Sequence, residues 1–180
     1  MPANDQPPRP VAFIDRDGTV IYDMSYLADP SKIAFTPHAA EGLRLLQDNG
    51  YLLIMITNQS GIGRGLITIE QFHGVQERMF SLLSAAGVHF TACYHCPHRP
   101  EDNCHCRKPN TGMLEQACLD FAVDKQKSLF IGDSEADMGL AANFQLRSIF
   151  LTTSKPVAPI PVAYTATDLL DAASWQLANA

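Results

Sequence analysis

Short apolar runs alternate along this chain with longer stretches in which apolar residues recur every three or four positions. The runs Val11–Asp15, Tyr51–Thr57, Phe90–Tyr94, Ser128–Gly132 and Ser148–Leu151 are rich in β-branched and aromatic residues and predict strands. Between them, Pro37–Asn49 predicts a helix with Leu43 and Leu46 on its apolar stripe and Gly50 as its stop. Thr68–Ala86 predicts the clearest helix: Thr68 and Gln71 have capping-box spacing, while Phe72, Val75, Met79, Leu82, Leu83 and Ala86 share one face before Gly87. Asn110 or Thr111 suits the start of a helix reaching Phe121, and Glu135–Phe144 and Thr167–Asn179 predict two more. Such alternation is the mark of an α/β fold, a mostly parallel sheet covered by helices as a three-layer sandwich. No internal repeat is visible.

One domain is expected over residues 1–180, since the 46% hydrophobic content suffices for a core and no insertion after Asp17 or Thr57 is long enough for a separate cap domain. Residues 1–10, polar and proline-rich, are expected to be flexible. The segment Thr152–Pro161 is expected to run over the surface toward the last helix. Nineteen acids against 13 bases give a net charge of −6, which argues against a nucleic-acid partner. The absence of a long apolar run argues against a membrane partner, and the expected protein is a cytoplasmic monomer.

The unusual residues gather where strands end, which in open α/β sheets is where ligands bind. Asp15 follows Val11-Ala12-Phe13-Ile14, so its carboxylate projects from a strand end backed by hydrophobic walls and suits a nucleophile. Asp17, followed by the permissive Gly18, can turn back toward the same place as general acid and base. Two carboxylates and a phosphate monoester repel one another, which calls for a hard cation such as magnesium. Asp133, ending Ser128–Gly132, is the natural third acid, and Asp137, one helical turn on, either supports that shell or orients a lysine. Thr57 offers a hydroxyl, Asn58, Gln59 and Ser60 begin a loop whose amides can face a phosphate, Lys108 brings a point charge and Arg107 a two-pronged donor. The substrate this predicts is a small phosphorylated metabolite.

Taken in order, Asp15-Arg16-Asp17-Gly18-Thr19, Thr57, Lys108 and Gly132-Asp133-x-x-x-Asp137 resemble the four motifs of the haloacid dehalogenase superfamily of phosphatases, over roughly residues 11–151. The resemblance implies a doubly wound, Rossmann-like sheet. It also implies Asp15 as nucleophile and magnesium ligand, Asp17 as acid/base whose backbone carbonyl reaches the metal, Thr57 and Lys108 on the phosphoryl group, and Asp133 completing the magnesium site. More narrowly, Thr57–Gly65 and the segment from Cys96 to Pro109 are similar to D-glycero-D-manno-heptose 1,7-bisphosphate 7-phosphatases and their histidinol-phosphate phosphatase relatives. Ser60-Gly61-Ile62, Arg64-Gly65-Leu66 and Asp23-x-x-Tyr26 favour the heptose branch, the last implying that Asp23 and Tyr26 touch substrate. The five residues between His98 and Cys104, and Ser134 in place of a lysine, pull toward the histidinol branch. Outside enzymes, a zinc-stabilised binding module without turnover is the competing class, which an acid/base at position 17 argues against.

Four of the five cysteines fall between residues 93 and 106, a spacing that suits a closed zinc site better than disulfides. Spacing alone leaves two sets open, with Cys96, Cys104 and Cys106 joined either by His98 or by Cys93. The resemblance implies His98, and a structural zinc that steadies the 96–106 loop carrying Arg107 and Lys108. His95 and His105 alternate with the ligands and are expected to be bystanders, while Cys118, between Leu114 and Phe121, reads as buried filler. His38, His73 and Trp175 read as surface, capping or packing groups.

Overall fold

The computed structural model describes residues 7–152 and 161–180. Six strands form one parallel sheet: β1 (Val11–Ile14), β2 (Leu52–Asn58), β3 (Ala92–Cys96), β4 (Leu129–Gly132), β5 (Arg147–Leu151) and β6 (Tyr164–Ala166), in the order β3-β2-β1-β4-β5-β6. The order reverses at β1, so β1 is flanked by β2 and β4 with Phe13 level with Ile54 and Phe130. This is the doubly wound arrangement in which a crevice opens at the carboxyl end of the central strands.

Side-chain alternation along these strands divides the core in two. Ala12, Ile14, Leu53, Met55, Leu129 and Ile131 join one cluster, which is covered by α1 (Ala39–Asp48), α3 (Ile69–Ala85) and α6 (Leu169–Ala178). Val11, Phe13, Ile54, Ile56 and Phe130 join the other, beneath α4 (Gly112–Asp120) and α5 (Glu135–Asn143). With both faces covered, β1 is wholly buried and reads as a continuous apolar run. The three layers are those expected.

The Thr68–Gln71 capping box is present, and Gly50 and Gly87 take positive φ beyond α1 and α3. Thr111 sits at the start of α4 without capping it, its hydroxyl being given to Glu115 instead. Among the described residues, four short elements go beyond the sequence expectation: β6, the one-turn α2 (Ser60–Gly63) and 3-10 turns at Pro30–Lys32 and Pro100–Asp102. The third strand starts two residues later than predicted and runs into Cys96, and the Phe90 ring before it packs on Phe80 at 5.4 Å. Residues 1–6, and 153–160 of the expected surface segment, lie outside the described residues. Within the segment expected to be flexible, the Arg9 N–H donates to Ala122 O at 2.9 Å and its carbonyl accepts from Asp124 N at 2.8 Å.

Candidate active site

Asp15 leaves the end of β1 as its N–H donates to Ile131 O on β4, which aims the side chain into the crevice between the two strands. There its carboxylate meets the Lys108 ammonium, with Nζ 2.6 Å from Asp15 Oδ1, 2.6 Å from Asp137 Oδ1 and 3.0 Å from Ile56 O. All three side chains are buried, Asp15 at 6%, Lys108 at 4% and Asp137 at 0% exposure. Asp137 Oδ2 accepts from the backbone N–H and hydroxyl of Ser134, the N-cap of α5, so both of its oxygens are engaged. Sequence left two roles open for Asp137, and the structure shows it holding the lysine.

Asp133 approaches from the end of β4. Gly18 has φ +81°, and a Cβ there would come within 2.1 Å of Asp133 Oδ2, so position 18 demands glycine both for its backbone and for the carboxylate lying over it. Oxygens of Asp15, Asp133 and Asp137 all lie within 4.8 Å of one another. Burial raises the Asp15 carboxyl well above its ordinary range; Lys108 opposes this, and Asp137 and Asp17 add to it. Burial works against the Lys108 charge as well, but Asp137 and Asp15 outweigh it and raise its pKa. One ammonium thus stands among three acids, and the negative charge left over is what a hard divalent cation on Asp15 and Asp133 would neutralise.

The Asp17 side chain is not part of that trio. Arg16 grips it through Nη2, 2.9 Å from Oδ1 and 2.8 Å from Oδ2, and Gln59 Nε2 donates to Oδ2 at 2.8 Å. The same Gln59 amide donates to Thr57 Oγ1 at 2.9 Å, so the carboxylate and the threonine hydroxyl are linked through one side chain. Asp17, Asp23, Tyr26, Asn58, Gln59 and Ser60 all border one cavity of about 250 Å³. Tyr26 reaches it because position 61 is glycine, where a Cβ would come within 2.6 Å of Tyr26 Cδ1.

Of the loop amides expected to face a phosphate, that of Gln59 is already paired. The Gln59 N–H donates to Cys96 O at 2.7 Å, and the Asn58 side chain exchanges hydrogen bonds with the Lys108 backbone, Nδ2 to the carbonyl at 3.3 Å and Oδ1 from the N–H at 3.1 Å. Asn58 therefore seats the lysine across 50 residues of chain. Arg107, half-buried, donates through Nη1 to His98 O at 3.3 Å and so joins the cysteine loop. Sequence reasoning missed Arg16 and Gln76, whose contact needs the tertiary fold. The available signal was a glutamine set among Phe72, Val75 and Met79 on the apolar face of α3.

Beyond β3, Cys96, His98, Cys104 and Cys106 place three sulfurs and an imidazole nitrogen within 4.8 Å of one another. The sulfurs are unbonded thiols, with Cys96 and Cys106 2.9 Å apart and His98 Nδ1 3.2 Å from Cys106. Four soft donors with no open position suit a closed tetrahedral zinc site. Cys93 is excluded from it by strand alternation: it packs with the cluster on the opposite face of the sheet from Cys96 and accepts from Gln76 Nε2 at 3.2 Å. His95 packs on Phe72 and His105 pairs with Glu115, while Cys118 is half-buried rather than fully buried.

The family described as polynucleotide kinase 3 phosphatase matches residues 10–156. A Thermoplasma volcanium protein named "Probable D-glycero-D-manno-heptose-1,7-bisphosphate 7-phosphatase" is 43% identical over 135 residues, 74% of this chain and 92% of its own. The Yersinia pestis D-glycero-beta-D-manno-heptose-1,7-bisphosphate 7-phosphatase is 39% identical over 157 residues, 82% of this chain and 83% of its own. Among solved structures, the B. bronchiseptica D,D-heptose 1,7-bisphosphate phosphatase complexed with magnesium and phosphate superposes with a TM-score of 0.85 at 26% identity, covering 95% of this chain and 99% of that one.

Proposed function

We propose what a chain that belongs to the heptose bisphosphate phosphatase family of haloacid dehalogenase-type phosphatases acts on: the 7-phosphate of D-glycero-D-manno-heptose 1,7-bisphosphate, hydrolysed through a phosphoaspartate on Asp15. The observation that carries the reading is the buried Asp15–Lys108–Asp137 trio with Asp133 beside it, an acid excess built around a nucleophile at a strand end.

In this reading a carboxylate oxygen of Asp15 attacks phosphorus while Lys108 and Thr57 hold the phosphoryl oxygens. The bond from phosphorus to the sugar oxygen breaks, and Asp17, protonated, gives that oxygen its proton. Asp17, now a carboxylate, takes a proton from water, which attacks phosphorus and frees Asp15 and inorganic phosphate. Asp15 and Asp133 would hold magnesium, with Asp17 contributing its backbone carbonyl. The ion supplies charge neutralisation for the crowded carboxylates and the phosphate. Asp23, Tyr26 and Ser60 border a cavity suited to a compact sugar, and Arg107, outside that cavity's lining and bonded to the His98 carbonyl, would meet a second polar group from the cysteine loop. Asn58 and Gln59 serve the site through Lys108 and through Asp17.

Cys96, His98, Cys104 and Cys106 would hold a structural zinc that fixes the loop delivering Arg107 and Lys108. No helix among the described residues is long and apolar enough to cross a membrane. A monomer working in the cytoplasm on a small metabolite, with no nucleic acid, completes the reading. The net charge of −6 supports the last point against the polynucleotide in the matched family's description.

Phosphate release with magnesium tests the assignment, comparing anomers of the heptose bisphosphate with histidinol phosphate and a 3′-phosphorylated oligonucleotide, and using Asp15→Asn as blank. Preferred turnover of a heptose bisphosphate supports it. Preference for either competitor replaces the substrate, and phosphate release by Asp15→Asn removes the proposed nucleophile.

A further inference from the structure

We propose that Gln76 is a positioning residue for the phosphatase reaction: from α3 it fixes Arg16, and through Arg16 the orientation of Asp17. The inference rests on the reading of Asp17 as proton donor to the leaving oxygen.

Arg16 is 1% exposed, the largest fully buried side chain among the described residues. Its guanidinium is engaged on two edges. Nε and Nη2 face Asp17, at 3.1 and 2.8 Å from Oδ2, and Nη1 donates to Gln76 Oε1 at 3.0 Å. The Phe72 ring lies 5.5 Å from the guanidinium carbon. A planar fork held at Nη1 has its other edge fixed in direction, and here that edge carries the Asp17 carboxylate.

Gln76 is an unusual residue for its place, and what it adds to stability lies in pairing the buried Arg16 guanidinium. It is 6% exposed and interrupts the apolar face of α3 formed by Phe72, Val75, Met79 and Leu83. Its amide finds only sulfur acceptors, Met55 Sδ at 3.3 Å and Cys93 Sγ at 3.2 Å, which are weak partners for a buried donor. A methionine or leucine would fill this place without leaving an amide so thinly satisfied, but would take the acceptor from Arg16 Nη1. The one strong bond the side chain makes is to Arg16, and it leads to the reacting group. Asp17 in turn lies one amide away from Thr57, through Gln59, so its orientation relative to the phosphoryl site is set from two directions.

The test compares kcat/KM for the sugar phosphate with kcat/KM for p-nitrophenyl phosphate in Gln76→Met, a substitution close in volume that suits a buried helix face. Both values report steps only through departure of the leaving group. A nitrophenolate departs without a proton, whereas a sugar alkoxide needs one. Loss of Asp17 orientation should lower the sugar-phosphate value about tenfold or more while the aryl phosphate stays within about twofold, a part of the 10²–10⁴ range typical of general acid catalysis. The ratio of the two values does not depend on how much of the protein is folded, so a stability defect cannot imitate the effect. An unchanged ratio, whether both values fall together or neither falls, overturns the proposal. Asp17→Asn, measured alongside, should show the same discrimination more strongly. If it leaves sugar-phosphate turnover intact, the acid assignment itself fails, separately from the role of Gln76.

Discussion

The carboxylate centre and the cysteine loop are both clusters of ligating side chains, and they are built on opposite terms. The first lies inside the carboxyl edge of the sheet, its Asp15, Lys108 and Asp137 almost wholly out of water, and it carries one of its own counter-charges. The second hangs beyond β3, with Cys96 buried but His98 exposed and Cys104 and Cys106 only half-buried, and among its donors there is no cation at all. Hard oxygens in a dry crevice carry an electrostatic imbalance that suits them to chemistry. Soft donors at the surface can close around an ion completely and serve only to hold a shape. Removing a group from either cluster therefore has different consequences for turnover and for stability.

The largest effect is expected at Asp15. Asp15→Asn should lower phosphate release by roughly a thousandfold or more, as loss of a nucleophile does. Its stability should move the other way. Burial, above all, raises the Asp15 carboxyl, so without a bound cation the folded chain keeps that proton to higher pH than the unfolded chain. Stability of the metal-free protein then falls as pH rises from the ordinary carboxylate range through the raised value, because over that window the folded state binds more protons. Asparagine cannot ionise, and the metal-free variant should melt no lower than the parent at neutral pH, with a flatter dependence on pH. Thermal unfolding against pH checks this, and a variant much less stable than the parent at neutral pH would show that the carboxylate is not repelled there.

Lys108→Met is the complementary break, and it should damage both properties. Asp15 and Asp137 would be left buried beside each other without the ammonium, at a cost of about 3–5 kcal/mol by the usual penalty for breaking a buried pair. Urea unfolding would register that loss, and turnover should fall with it because the phosphoryl group loses a ligand. The double variant Lys108→Met with Asp137→Leu should recover part of the stability and none of the turnover. Recovery of turnover would place Lys108 outside the chemistry.

This part of the site was the most legible in the sequence. Asp15, Thr57 and Asp133 stand at or near the ends of apolar runs, and strand ends are where an open parallel sheet keeps its ligands. Asp137 was ambiguous because helical spacing from Asp133 fixes a face and not a partner. The Gln76–Arg16–Asp17 chain was not legible, since residues 60 positions apart meet only once α3 packs on the sheet. β6 escaped notice because Tyr164–Ala166 is three residues long with only Ala166 fully buried, too short for alternation to show. The backbone amide of Gln59 looked free for phosphate because its pairing with Cys96 depends on β3 lying beside β2.

A smaller effect is expected at the cysteine loop. Stripping all metal with a chelator and restoring only magnesium should leave activity reduced roughly tenfold to a hundredfold, the scale on which supporting metal-site groups act. Adding zinc should then restore it, with one zinc per chain by atomic absorption. The reason is geometric: Lys108 and Arg107 follow Cys106 directly in sequence, and Arg107 is tied to the His98 carbonyl, so a loosened loop misplaces the lysine before it touches the chemistry. Full recovery on magnesium alone would detach the loop from catalysis.

The finest distinction is between His98 and Cys93, the two candidates that spacing alone could not separate. Along β3 the side chains alternate, so Ala92, Tyr94 and Cys96 belong to one face and Cys93 to the other, where it meets Gln76 and the core under α3. Recognising the strand as far as Cys96 would have decided the matter from sequence, because residues three apart on a strand cannot share a metal from the same side. Cys93→Ala should accordingly keep its zinc and its turnover and lose only about 1 kcal/mol of stability to the small cavity left by the sulfur. His98→Ala should lose zinc on dialysis. Burial pushes the Cys93 thiol up to about 11, with Arg16 and Gln76 pulling against it. The thiolate needed for alkylation is therefore scarce at pH 8, and Cys93 in the folded chain should resist iodoacetamide while reacting readily once unfolded. Loss of zinc from Cys93→Ala, with His98→Ala retaining it, would reverse the assignment and mean that the end of β3 turns over when metal binds.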